Sequence, residues 1–546
     1  MRVFLGAFVA AHILSACTSS GGPDAPPVLT VTTPARGTFA DGTTITVTGQ
    51  VTDDGPVQVT VAGTQVTPAK DGTFTATITV DPGVSIIETH AIDKAGHDVR
   101  DVRAVLAGTT APTDGKTAAP IGARAGTAAL TAIGTSVANA AEQIDFTAIA
   151  QGMNPVYDNG GCLGAKINIT SVDLGAIDVA LTPDTGKLGA AVDIANVTVK
   201  LHADFKVACI GGSTTITVTS SKAHIRGDLT ADAASGTIQT ALPSASVALD
   251  NFNVDVGGVP SAIESLLDGQ ARTAAQNALT KAIKDKLPGL ANNALAGLLA
   301  NPVSADVLGH ATTATVAPTE VTLTPGGIFV GAQTTVAVTG GEGGTYLAQP
   351  AALSATMLEG SKGFGVALAD DLVDQLLGGL WAAGAFDKSL PIASVGILAA
   401  LLDADAATLD IKLSLPPTVT PSGADLSLAV GDAIITVQDT SGAPLQQIAL
   451  SIKTTLAAGP TQSGKLTLTL GTPEIHAMVV EQADSVSRPL TDEQVEGLVT
   501  SAWGVLGDQA GTALAKLPMP SIAGVTLGTP TVKSAEAFVA ADLPVM

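Results

Sequence analysis

Ser261-Ala262-Ile263-Glu264-Ser265-Leu266-Leu267 opens a run that closes at Lys286-Leu287-Pro288, and Thr491-Asp492-Glu493-Gln494-Val495 opens a second that closes at Lys516-Leu517-Pro518. Ser261 and Glu264 have the spacing of a capping box, and Ile263, Leu266, Leu267, Ala271, Ala274, Ala278, Leu279 and Ile283 follow at helical spacing. Thr491 and Gln494 repeat the box, with Val495, Leu498, Ala502, Val505, Leu506, Ala513 and Leu514 on one stripe. The pattern predicts two long amphipathic helices, Ser261 to Leu287 and Thr491 to Leu517. A block of alternating strands precedes each, so the chain makes one construction twice.

The first block is the clearer. Val197, Val199, Leu201, Ala203, Phe205 and Val207 alternate with Thr198, Lys200, His202, Asp204 and Lys206. Such a strand is about 40 Å long, roughly twice the usual length. Lys166 to Leu174, Thr214 to Ile225 and Ser246 to Val256 are its expected partners, and a phase slip at Asn251 predicts a bulge. The second block reads as Leu409 to Leu415, Leu426 to Val430, Ile448 to Leu456 and Leu466 to Leu470, and Val321 to Val338 as strands joining the halves. One polar and one apolar face make each sheet wet outside and packed inside. The expected fold class is α+β: two lobes, each a long curved antiparallel sheet wrapped on a long helix, joined by a shared sheet.

The N-terminus reads as a targeting segment. Arg2 precedes the short apolar run Val3 to Leu14, and Leu14-Ser15-Ala16-Cys17 follows. This ending resembles the lipobox of bacterial lipoproteins, which implies cleavage before Cys17 and lipid attachment to its thiol. Thr18 after the cysteine favours the outer membrane. Cys162 and Cys209 remain, each beside a glycine pair, and export permits a disulfide between them. Closing that loop would contribute roughly 4 kcal/mol.

The expected domains are a signal at 1–16, a tether at 17–26, an all-β unit at 27–107, a linker at 108–125, a first lobe at 126–325 and a second at 326–546. Ala128 to Ile149 reads as a helix of small residues, and Ile392 to Leu402 as a buried helix. In the all-β unit the strand candidates are Ile45 to Val51, Val57 to Val61, Phe74 to Val80 and Ile86 to Ile92, with turns at Asp41-Gly42, Asp54-Gly55 and Asp71-Gly72. These turns and the closing Asp93-Lys94-Ala95-Gly96-His97 resemble bacterial immunoglobulin-like modules, which implies a spacer or adhesive stalk able to meet a surface or envelope protein.

At 546 residues the chain exceeds one core, and a formal charge of −23 excludes nucleic acid and electrostatic docking on anionic headgroups. Aromatics at 3% argue against stacking platforms.

The order of elements resembles the tubular lipid-binding proteins typified by the bactericidal/permeability-increasing and lipopolysaccharide-binding proteins. The likeness is carried by Val259-Pro260-Ser261-Ala262-Ile263 with its helix, by Gly365 to Leu372 running through Leu380-Trp381-Ala382-Ala383-Gly384, and by Leu517-Pro518-Met519-Pro520-Ser521-Ile522 with Phe538 to Leu543. It implies two lobes holding acyl chains beside their helices. Ile263, Leu266, Leu267, Leu279 and Ile283 are then candidate pocket residues in the first lobe, and Leu376, Leu377, Leu380 and Trp381 in the second. The acidic charge departs from the family's basic bacterial killers, and neither Cys162 nor Cys209 lies on the long helix, so this disulfide differs from the family's.

No nucleophile elbow, HExxH, CxxC or EF-hand loop occurs. Gly459 to Leu466 approaches a P-loop, but Leu466 replaces the magnesium-binding hydroxyl and a hairpin turn is expected there. His202 and His224 would need to face each other to hold a metal, and Asp403, Asp405 and Asp410 read as solvated loop acids. Neither metal nor cofactor is expected, and no enzymatic activity. The expectation is a membrane-anchored lipoprotein that binds or transfers a lipid or other hydrophobic small molecule, and the alternative is a surface adhesion or scaffold protein without lipid.

Overall fold

A computed structural model describes residues 25–259, 261–299, 303–349, 353–394, 402–403, 405–422, 425–460, 466–514, 531–535 and 538–545. The expected signal segment, Cys17, most of the Ile392 to Leu402 run, Lys516-Leu517-Pro518 through Ile522, and residues 461–465 of the expected hairpin turn lie outside these residues.

Strand dominates. The α+β expectation gives way to a mostly β molecule of curled sheets with a small all-β module at the front. The module pairs a three-stranded sheet with a five-stranded one. Its four expected strands occur as Thr44–Thr52, Gln58–Val61, Thr73–Thr79 and Gly83–Ile92. Between the sheets lie Val47, Val59, Val61, Phe74 and Ile87, the inward residues of alternating strands.

The expected linker is a correction. Thr110–Pro112 pairs with Thr345–Leu347, and Thr117–Gly126 is a strand at the centre of a seven-stranded sheet. Its neighbours are Gly327–Val338 and Phe364–Ala369, both antiparallel. Small residues obscured this strand: Ala123, Ala125 and Gly122 pack closely without the β-branched signature of a strand. Val321 to Val338 does join the halves, as His310–Thr324 and Gly327–Val338 of this sheet.

The repeat runs deeper than strands followed by helix. Thr117–Gly126 leads directly into helix α1 (Thr127–Ala141), then α2 (Phe146–Gln151), so the expected Ala128 to Ile149 helix is broken. The break is capped by Asp145, whose side chain accepts from the Ala148 N–H at 2.9 Å. The first lobe's eight-stranded sheet follows, then α3 (Ser261–Ala296). In the second half Phe364–Ala369 leads into α4 (Asp370–Ala382), a seven-stranded sheet and α5 (Asp492–Leu514). Adjacent central strands therefore launch both halves.

Lys-Leu-Pro does not stop α3. The helix continues through Pro288 to Ala296, and the Pro288 carbonyl accepts from Thr240 Oγ1 at 2.8 Å. The second capping box forms as spaced: Thr491 N–H donates to Gln494 Oε1 at 3.0 Å, and Gln494 N–H to Thr491 Oγ1 at 3.3 Å.

In the first lobe, Lys187–Val207 pairs along its length with Ile210–Ala234. The Ser246 to Val256 strand is split at Asn251, where φ is +47°, into Ala245–Asp250 and Asn253–Val256. In the second lobe the strands are longer than their apolar cores suggested, as in Asp425–Asp439 and Pro444–Pro460. Glu474–Gln482 was not anticipated, because its apolar residues do not alternate strictly.

The module is not a free stalk. Val84, Ala104 and Leu106 form one apolar cluster with Leu347, Leu415 and Ala429. Gly431 permits this approach, since a Cβ there would meet Ala104 Cβ at 2.6 Å. At the contact Asp432, 0% exposed, accepts from Arg36 Nη1 at 2.9 Å and the Ala104 N–H at 3.1 Å. Arg100 donates to Glu496 Oε1 at 2.6 Å, and His476 Nδ1 lies 2.8 Å from Glu88 Oε1.

Candidate functional site

Helix α3 lies against the concave, apolar face of the first sheet. Ile263, Leu267, Leu279 and Ile283 are buried in one cluster with Leu201, Ile216 and Ile225 from the long strands. Four of the five expected residues of this lobe thus share one apolar interior. Leu266 differs: it is half-buried, on the edge of the helix's apolar stripe.

The margin of the sheet beside α3 has a distinct construction. Ala245–Asp250 and Asn253–Val256 pair only with Ile210–Ala234 among the described residues, so their far edge faces α3 rather than another strand. Their inward residues never reach full burial: Ala245, Val247, Leu249, Val254 and Val256 are half-buried, with Phe252 between. The result is an apolar seam along the helix. Arg272 of α3 caps it, its guanidinium carbon 3.8 Å from the Phe252 ring centre. The sequence held half of this signal, the phase slip at Asn251, but not that the strand pieces form an open margin.

The second set is dispersed. Leu376 and Leu380 pack with Val307, Val336 and Val338, and Leu377 with Val419, Leu426 and Leu456. Trp381 packs on a third cluster, donates Nε1–H to the Leu413 carbonyl at 2.9 Å and stands 6.1 Å from the Phe39 ring of the module. These four side chains face three cores.

Instead α4 carries an acidic group that sequence reasoning passed over. Asp370 and Asp374 are each 1% exposed and Asp371 is buried beside them. Asp371 Oδ1 accepts from the Gln349 N–H at 2.6 Å, and Asp374 Oδ1 from the Val419 N–H at 2.6 Å. Asp370 Oδ2 and Asp374 Oδ2 have no hydrogen-bond partner among the described residues. Burial first, then the Asp371 carboxylate, pushes Asp370 up to about 7, and burial also raises Asp374 well above the usual carboxylate range. Gln375 ties the same helix to the former linker, donating Nε2–H to the Thr113 and Gly115 carbonyls at 2.9 and 2.8 Å. Acids at i, i+1 and i+4 inside an apolar run were the available signal.

Cys162 and Cys209 form the expected disulfide across 47 residues. His202 and His224 do not meet: His202 pairs across the sheet with Asn168 and Thr215, and His224 with Asp193 and Ala248. Asp193 binds His224, Lys222 and Arg226, which hold it well below the usual carboxylate range against the opposing effect of burial. Asp403 accepts from Ser487 and Arg488 N–H groups, so it is a loop cap. Among the described residues no group of acids, histidines and cysteines is arranged to hold a metal, and no helix is long and apolar enough to cross a membrane.

A cleft of about 710 Å³ separates the module from the second lobe, lined by polar groups including His90, His476, Glu474 and Lys453. None of the expected pocket residues lines it.

The module is similar to a known family: the model for glucodextranase domain B matches residues 27–109. Among curated proteins no sequence matches the chain. A solved lipopolysaccharide binding protein matches with 14% identity and a TM-score of 0.41, over 79% of this chain and 99% of its own. Latherin in solution matches over 30% and 83%, at 17% identity and TM-score 0.19. FdeC, an Escherichia coli adhesin, matches over 61% and 96%, at 11% identity and TM-score 0.14.

Proposed function

We propose that this chain is an exported lipoprotein, anchored to the bacterial outer membrane through acylated Cys17, that binds or transfers a lipid or other hydrophobic molecule in its two-lobed body. The observation that carries the reading is the half-buried apolar seam beside α3, from Ala245 to Val256. An acyl chain costs about 0.8 kcal/mol per CH₂ to keep in water, so a carrier needs a continuous apolar surface for the chain to leave water. The seam offers one, contiguous with the interior that holds Ile263, Leu267, Leu279 and Ile283. The docked module leaves its outer sheet for a surface or envelope protein partner. No catalytic role enters this reading.

The test is saturable binding of an apolar naphthylamine dye, compared between the wild-type chain and Val247→Arg. Arginine at a half-buried edge position can extend its head to water, so the fold is retained while the seam gains a charge. The expected result is loss of dye binding with an unchanged unfolding midpoint. Equal binding by both proteins would remove the seam as the site. The near-complete burial of Ile263 and Leu267 favours a second reading, a filled first lobe in a surface adhesion or scaffold protein, and absence of saturable binding in the wild type would leave that one.

A further inference from the structure

Ala123 and Ala125 of the central strand Thr117–Gly126 face the first lobe's interior. Alternation sends Arg124, between them, to the other face of the sheet, where it is only 3% exposed. Cross-strand register sets it in one row with Phe329 and Thr322 on one side, and with Gly365 and Asp542 on the other. The short turn Ala355–Leu358 packs on this face against Thr117–Gly126, Gly327–Val338 and Phe364–Ala369, and Leu353 and Leu358 cluster with Phe329.

Among the described residues nothing answers the charge. Arg124 Nε and Nη1 are buried without a hydrogen-bond partner there. Asp542 and Glu320 share the face but are held by hydroxyls: Asp542 Oδ1 accepts from Ser361 Oγ at 2.5 Å, and Glu320 Oε1 from Thr322 Oγ1 at 2.6 Å. Gly365, between Arg124 and Asp542, has no side chain to relay a bond, and Glu359, after the turn, is exposed. A cation left buried and unpaired is strongly destabilising, so a fold that buries one calls for a counter-ion. The guanidinium ends against the Gly326 turn: a Cβ at Gly326 would stand 2.5 Å from Nη2, so glycine leaves that end its room. Gly326 itself is exposed, which gives an anion a short path from solvent. The planar guanidinium matches two oxygens of one carboxylate or phosphate, a geometry that a halide does not offer.

We propose that Arg124 anchors an oxyanion site, holding the carboxylate or phosphate group of a small ligand between the central sheet and the Ala355–Leu358 turn. The site stands apart from the seam beside α3, because the sheet lies between them, and it does not depend on lipid being carried there. Thr117–Gly126 and Phe364–Ala369, which launch the two halves, both border it, so a bound anion stabilises the joint between them.

The experiment follows the thermal unfolding midpoint of the full chain, wild type and Arg124→Met, in sodium phosphate, sodium acetate or sodium octanoate. Each is exchanged for chloride at constant ionic strength. At least one oxyanion should raise the wild-type midpoint saturably at millimolar concentration, as mass action requires of a ligand that binds only the folded chain. Arg124→Met should show no such rise, and in chloride alone it should melt above the wild type, having lost an uncompensated buried charge. A response to phosphate or acetate identifies a free ion. A response to octanoate alone, kept in Val247→Arg and lost in Arg124→Met, identifies the charged end of an amphiphile. Arg124→Gln serves the same comparison should the methionine variant not fold. A wild-type midpoint flat in all three anions overturns the proposal, and so does an equal rise in wild type and variant. A flat wild type that melts above Arg124→Met would show that the chain supplies its own counter-charge.

Discussion

Asp370→Asn isolates the buried acid group of α4. Asp370 is 1% exposed and its Oδ2 is unpaired among the described residues. Its carboxyl is raised from an ordinary 3.8 to about 7 by burial and by Asp371. A carboxyl raised on folding contributes its stability in the protonated form, below its unfolded value. That contribution is lost as pH climbs from about 4 to about 7 and is gone above. Between pH 5 and pH 8 the wild type should therefore lose about 2–3 kcal/mol that an amide at this position, which does not titrate, retains. Asparagine keeps the acceptor for the Asp371 N–H, bonded at 2.9 Å, and brings only a neutral buried amide in place of Oδ2. Urea unfolding of both proteins at pH 5 and pH 8 gives the comparison, with the difference between proteins as the readout so that titration elsewhere cancels. The stability of Asp370→Asn relative to wild type should rise with pH by that amount. A difference that is flat, or that moves toward the wild type at pH 8, would refute the argument.

Other expectations follow from the structure and, for Cys17, from the proposed anchor. Asp432→Ala leaves the part-buried Arg36 and the Ala104 N–H without their partner, so docking of the module should weaken by about 3 kcal/mol, read as new protease cleavage between the module and the central sheet. Cys17→Ser should move the protein from the membrane to the soluble fraction, since multiple acyl chains anchor stably where one does not; continued membrane partition would point to another anchor. Leu267→Trp and Ile283→Trp separate cavity from filled core: in a cavity they lower lipid occupancy at little cost, whereas in a filled core they overpack it and cost ~1–3 kcal/mol.

The strands with one wet face were legible because their alternation is strict. Asn196 to Val207 falls inside Lys187–Val207, and the phase slip at Asn251 marked a real break at positive φ. The helix starts were legible from Thr491 and Gln494, whose reciprocal bonds need only local chain. Helix ends were less so, since α3 runs on through Pro288 to Ala296, where the far end packs against the sheet and Thr240 Oγ1 bonds the Pro288 carbonyl. The central strand Thr117–Gly126 was read as linker because Ala, Gly and Pro lack strand propensity, and only pairing on both sides makes it a strand. The α4 acids gave only the hint of their i, i+1, i+4 spacing in an apolar run, since they are buried by residues far apart in sequence, such as Gln349 and Val419. Likewise Leu376, Leu377, Leu380 and Trp381 were expected at one pocket, yet one helix can serve three cores when different sheets approach its faces.

Mass spectrometry of an organic extract of the purified protein, made in its native host and freed of its anchor, tests the central claim most directly. The account predicts a phospholipid or another amphiphile at stoichiometric amounts, reduced in Val247→Arg prepared alongside. Extracts repeatedly empty of any amphiphile would contradict it.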